Sequence, residues 1–147
     1  MTPRLLIYDR PSTGLEAKFS MPFCAAAALV FGHPTIETFD GAHVADPRVQ
    51  ALLPRVSMRV NPSFDSAPPL SQATVSIQRR DGTTLTLHAD GARGYPGRLS
   101  ETELATKFLG CAQRSLPKAN ADAALTAVRA LERTDHVRAL ADAWTLP

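Results

Sequence analysis

Apolar residues run almost without interruption from Phe23 to Phe31, and Gly32 and Pro34 follow at once. A run that is apolar all round predicts a buried helix rather than a surface one. Ser20 suits the N-cap, Pro22 falls in the first turn, where its missing N–H costs little, and Gly32 is a natural stop. Before this helix, Arg4 to Tyr8 is a short apolar run between Pro3 and Pro11 that fits a strand. Thr13 and Glu16 have capping-box spacing, enough for one helical turn. Asp46-Pro47 is a clean helix start with Val49, Leu52 and Leu53 on one side, and Pro54 ends it. Thr35 to Phe39 is too short to assign.

The period then changes from helical to alternating. Val56, Met58 and Val60 alternate with polar residues and predict a half-buried strand. Pro62 to Ser71 reads as a loop. Ala73, Val75 and Ile77 alternate, Asp81-Gly82 is a strong hairpin signal, and Leu85 and Leu87 alternate on the return. An antiparallel sheet with one polar face is expected. After a Gly-rich loop, Gly91 to Leu99, Ser100 and Glu103 open another helix, with Leu104, Phe108, Cys111 and Leu116 as its stripe and Pro117 as its break. Ala121 to Leu131 and Asp135 to Trp144 predict two more helices, with Leu125, Val128, Leu131, Val137, Leu140 and Trp144 inward. The class is α+β: an antiparallel sheet with an Asp-Gly hairpin packed against helices, followed by three C-terminal helices. The expected division is residues 1–99 and residues 100–147.

Composition narrows the function more than the fold. A net charge of +2, with Lys and Arg scattered among Asp and Glu, argues against nucleic-acid binding, which needs clustered positive charge. The longest apolar run is about half of what a bilayer span needs, so no membrane partner is expected. The N-terminus is too short for a signal peptide, and Cys24 and Cys111 at apolar helix positions read as buried free thiols in a cytoplasmic protein. His33, His43, His88 and His136 are widely spaced and suggest no metal site. No nucleotide-binding glycine motif, P-loop or nucleophile elbow is present, and Tyr8, Tyr95 and Trp144 form no stacking platform.

Lys18 and Ser20 carry the chemical interest. A helix N-terminus has unpaired N–H groups and partial positive charge, and Lys18 stands just before it, so a carboxylate could approach there. The plainer reading is a solvated lysine and a serine that only caps. Arg93, in the Gly-rich loop, has the planar fork that suits a carboxylate, though an arginine so placed is more often simply solvated. Phe23 reads as a core aromatic.

The segment Gly14-Leu15-Glu16-Ala17-Lys18-Phe19-Ser20-Met21-Pro22-Phe23, followed by an alanine-rich helix ending in Gly32, resembles the opening of the C-terminal domain of the MmgE/PrpD family. The Asp46-Pro47 helix, the following strand, the Asp81-Gly82 hairpin, the Arg93-Gly94 loop and the capped helix with Lys107-Phe108 continue the resemblance from about Pro11 to the end. The resemblance implies a lid domain of a lyase or isomerase acting on small di- or tricarboxylates. It implies removal of a proton next to a carboxylate, with loss of water, loss of CO2 or return of the proton, and no cofactor. It implies substrate contacts at Lys18, Ser20, Phe23 and Arg93, with Phe23 standing where many relatives carry Tyr and so lacking a hydroxyl to donate. The principal acid and base residues of the family belong to a helical N-terminal domain, so this chain alone is expected to be inactive, with no catalytic residue of its own. Residues 100–147 would pack on that domain, and their exposed helices would otherwise favour self-association. The alternative is a stand-alone α+β binding or scaffold module, or a truncated gene remnant, for which Met1 directly before the Arg4–Tyr8 run is the supporting feature.

Overall fold

A computed structural model describes residues 5–64 and 72–144 of the 147-residue chain. The chain forms two compact units, one up to Val75 and one from Ser76. It is α+β, with several helices, one two-stranded antiparallel sheet, and helices at the C-terminal end.

The first unit is built from short helices, each started by a side-chain cap. α1 spans Gly14–Lys18, and Thr13 Oγ1 accepts the Glu16 N–H at 3.2 Å. The Glu16 carboxylate reaches back one residue beyond the cap, accepting the Ser12 N–H at 2.7 Å and its hydroxyl at 2.9 Å. α2 spans Met21–Phe31 with Ser20 as its cap, and Gly32 closes it at φ +82°. A 3-10 turn, Glu37–Phe39, occupies the stretch too short to assign from sequence, and α3, Gly41–Val44, follows with Asp40 as its cap. α4, Pro47–Leu52, begins at Asp46 as the Asp-Pro pair predicts, and a 3-10 turn, Leu53–Arg55, ends it. Ala17, Phe23, Ala26, Ala27, Val44, Val49 and Leu53 form one buried cluster, with Phe31, Phe39 and Leu52 packed against it.

Three expectations change here. α2 buries one side only: Ala28 and Leu29 face solvent, so its all-round apolarity overstates its burial. Val56 to Val60 is not a strand, and Val60 is exposed. Alternation supplies a face but no hydrogen-bonding neighbour, and a strand needs both. Leu6 to Tyr8 form no strand either; the Tyr8 N–H instead donates to the Phe19 carbonyl at 3.2 Å. Arg4 and most of the Pro62–Ser71 loop lie outside the described residues.

β1, Ala73–Gln78, and β2, Thr84–Ala89, form the hairpin. Its ends close through Arg79 N–H to Thr83 O at 2.8 Å, which leaves Arg80, Asp81 and Gly82 as a three-residue loop. Gly82 takes φ +85° and Asp81 Oδ1 accepts the Thr83 N–H at 2.9 Å. Asp-Gly thus works here as the end of a three-residue loop, with glycine at its left-handed position. Ser76 and Thr86 hydroxyls pair across the strands at 2.9 Å. Of the alternating apolar residues, Val75, Leu85 and Leu87 are exposed and Ile77 is half-buried, so the face expected to be buried is mostly open.

The second unit continues with α5, Glu101–Ala112, α6, Lys118–Arg129, and α7, Arg138–Ala143. Ser100 and Glu103 complete a reciprocal capping box. Arg129 Nε donates to Glu101 at 2.8 Å and ties α6 to α5. Buried apolar side chains among its described residues are Ala121 and Ala124. Leu104, Val128, Leu131, Val137 and Trp144, expected inward or on an apolar stripe, are exposed, as is Cys111; Leu125 is half-buried. Periodicity places these residues on common helix faces, but a face is buried only when another element lies over it. The Leu140 side chain lies outside the described residues.

Candidate functional site

The corner between α1 and α2 gathers three of the four sequence-predicted site residues. Ser20 is fully buried, and its Oγ accepts the Phe23 N–H at 3.1 Å. Its own N–H donates to the Ala17 carbonyl at 3.2 Å and its carbonyl accepts the Cys24 N–H at 3.1 Å. Every polar group of its backbone is therefore committed to joining the two helices. Phe23 is fully buried, with its ring 5.8 Å from that of Phe39 between centroids. Lys18 ends α1, is exposed, and among the described residues has no ion-pair partner. The corner thus sets an exposed lysine beside the positive end of an 11-residue helix.

The acid of α1 is bonded to Ser12. The Ser12 N–H and hydroxyl on the Glu16 carboxylate lower its pKa and favour its ionised form. Burial raises the pKa of Cys24, whose thiol sits in the second turn of α2, so it stays protonated and is no nucleophile.

Arg93 belongs to the second unit. Its guanidinium bonds the Glu103 carboxylate, which also accepts the Ser100 N–H at 2.9 Å. Nearby, Arg98 holds Asp90 through two bonds of 2.6 and 3.2 Å, and this pairing lowers the Asp90 pKa. The loop is therefore cross-linked by its own charges. In the same unit, Phe108, Cys111, Ala112, Ser115, Leu116 and Trp144 line an open, mainly apolar groove of about 450 Å³.

A further cluster stands at the other end of α2, where the apolar periodicity gave no sign of it. His43 Nδ1 lies 2.7 Å from Asp40 Oδ1, and its ring meets that of Phe31 edge-on at 4.9 Å. The Arg48 guanidinium lies 5.4 Å from the same Phe31 ring and forms a two-bond pair with Asp46, at 2.8 and 3.1 Å. The two caps thus serve twice, holding the starts of α3 and α4 and aiming a cation-forming side chain at Phe31. Asp-Pro revealed the second of these; the first needed the recognition of Asp40 as a cap three residues before His43. Among the described residues no three His, Cys, Asp or Glu side chains come together as a metal site, and no helix is long and apolar enough to cross a membrane.

Residues 2–133 match the MmgE/PrpD C-terminal domain. The chain belongs to the MmgE/PrpD family. It is 32% identical over 127 residues to cis-aconitate decarboxylase of Mus musculus, an alignment that covers 83% of this chain and 25% of that protein. The chain therefore spans a quarter of the length of that relative. The α1–α2 corner, the hairpin and α5 all fall inside the MmgE/PrpD match, as the resemblance of the Gly14–Gly32 segment and the later motifs leads one to expect.

Proposed function

We propose that this chain is the lid-type domain of an MmgE/PrpD lyase or isomerase that acts on a small di- or tricarboxylate. The reaction would begin with removal of a proton next to a carboxylate, followed by loss of water, loss of CO2 or return of the proton. The observation that carries this reading is the α1–α2 corner within the family match: the exposed Lys18 beside the capped N-terminus of α2. A carboxylate entering there meets one full positive charge and the positive end of the helix, and closing over it excludes water, which strengthens both interactions. Ser20 acts in this reading by fixing the corner, with its oxygen already bonded to Phe23 N–H. Phe23 forms the apolar floor and donates nothing. Arg93 is the second unit's candidate carboxylate contact, available when it lets go of Glu103.

Among the described residues the corner itself supplies no base. A general base must stand within hydrogen-bond reach of the proton it takes, and the groups at the corner are a lysine, a bonded serine and a carboxylate held to Ser12. The chain alone is expected to bind but not turn over. The exposed Leu104, Leu131, Val137 and Trp144 support packing of the C-terminal helices on a helical domain, or on a second copy where that domain is missing.

The test is titration of the purified chain with citrate and cis-aconitate, followed by amide NMR. Shifts centred on Lys18 to Cys24, lost with Lys18→Gln by about tenfold in affinity, are the expected result. Shifts elsewhere, or dehydratase or decarboxylase turnover by this chain alone, would sink the reading. Sedimentation at rising concentration checks the packing surface; a clean monomer throughout counts against self-association.

A further inference from the structure

We propose that Gly14 is a positioning residue for the α1–α2 corner: it seats the first turn of α1 against the Phe39 carbonyl, and that seat sets where Lys18 and the N-terminus of α2 lie. The proposal rests on the reading of the corner as a carboxylate site.

Gly14 opens α1, and its backbone needs no left-handed conformation, since the positive-φ glycines are Gly32, Gly82, Gly91 and Gly97. What it provides is room. A Cβ built on Gly14 would overlap the Phe39 carbonyl oxygen and stand 3.2 Å from the carbonyl carbon. Both are backbone atoms, and neither can swing aside as the tip of a side chain can.

The wall that Gly14 meets is itself fixed. Thr38 is buried, and its Oγ1 accepts the Thr35 N–H at 2.9 Å. Its own N–H donates to Thr35 O at 3.2 Å, that of Phe39 to Ile36 O at 3.2 Å, and that of Asp40 to Glu37 O at 3.0 Å. Asp40 then caps α3. The Phe39 ring packs on Phe23, whose N–H is the one that Ser20 caps. Phe39 therefore touches both sides of the corner, with its carbonyl against α1 and its ring against α2. Lys18 follows Gly14 by four residues, close to one helical turn, so a shift of the first turn of α1 is passed directly to the lysine.

Gly41 supplies the contrast. It opens α3 in the same unit, and a Cβ there meets nothing within 4 Å. Gly14→Ala and Gly41→Ala are chemically the same change at the same helix position, and only one of them is obstructed.

The experiment compares the two variants in the full chain by amide NMR, hydrogen exchange and citrate titration. Gly14→Ala is expected to move the Ala17, Lys18, Phe19 and Ser20 amides, speed exchange of the Ser20 N–H, and weaken citrate at least tenfold. Gly41→Ala is expected to leave all three unchanged. A Gly14→Ala chain with wild-type shifts, exchange and citrate affinity would overturn the proposal. If the wild-type chain binds no citrate, the site reading fails alone, and the shifts and exchange still decide the positioning claim. If Gly14→Ala does not fold, Thr38→Val decides it: loosening the turn under the Phe39 carbonyl should move the same corner amides, and unmoved amides refute the seat.

Discussion

The two units are made with similar local rules and reach different ends. Side-chain caps start helices in both: Thr13, Ser20, Asp40 and Asp46 in the first, and Ser100 with Glu103 in the second, where α6 and α7 begin without one. Both tie their surfaces with ion pairs, Arg48 to Asp46 in one and Arg129 to Glu101 in the other. The first unit, however, also buries Phe23, Val49 and Leu53 in a shared cluster, whereas the buried apolar side chains of the second are two alanines among its described residues. Caps and charges choose where a helix starts and what its surface costs; they contribute about a kilocalorie each. Burial of large side chains is what makes the arrangement of helices unique. The first unit is thereby specified as a tertiary structure, and the second as a set of good helices with an uncovered apolar side.

Truncating one apolar side chain in each unit puts the largest effect on that contrast. Phe23→Ala removes a fully buried ring and should cost about 3–5 kcal/mol by denaturant unfolding. Leu104→Ala removes a side chain that is 53% exposed, and should stay within about 0.5 kcal/mol. Equal losses would mean that α5 buries its stripe after all and that the contrast is false. The next effect separates capping from burial. Ser20→Ala should cost about 1–2 kcal/mol, since the Phe23 N–H loses its partner inside the core. Ser100→Ala should cost about 0.5–1 kcal/mol, because water can replace the lost bond at an exposed cap. A larger loss at Ser100 than at Ser20 would show that the second unit depends on its caps more than the first depends on its core.

The sequence was legible wherever a local rule acts alone. Ser20, Asp46-Pro47 and Ser100 with Glu103 start helices where their capping chemistry says they should, and Asp81-Gly82 turns a hairpin. It was not legible where a neighbour decides. Val56, Met58 and Val60 alternate but find no ladder, and Val75, Leu85 and Leu87 alternate but stay exposed. The turn at Glu37–Phe39 rests on the buried Thr38 hydroxyl bonding the Thr35 N–H, a contact that no hydrophobic period announces. For the same reason Lys18 and Ser20 could be named from their order along the chain, while Gly14 stood in the same segment with no sign of the carbonyl it faces.

The smallest effect is the dependence on pH, and it tests whether the surface acids of the first unit help its core. The Arg48 side-chain bonds lower the Asp46 pKa from 3.8 to about 2. The His43 backbone and side-chain bonds lower that of Asp40, and the Ser12 bonds lower that of Glu16. A carboxyl with a lower pKa in the folded chain binds its proton less readily there than when unfolded. Its contribution is therefore fully present above the unfolded value and is lost as pH falls through the folded one. Stability of the first unit should decline from about pH 5 to about pH 2. Asp40 is exposed and Glu16 and Asp46 are only half-buried, so the slope should be shallow and should flatten further in high salt. Asp46→Asn keeps a capping oxygen but removes the charge, and should take away the lowest-pH part of the decline while leaving the Phe23→Ala loss unchanged. Urea midpoints followed across that range in both chains make the comparison. A steep decline insensitive to salt would mean that a group other than these three carries the acid sensitivity, and one outside the core cluster, whose residues are apolar throughout.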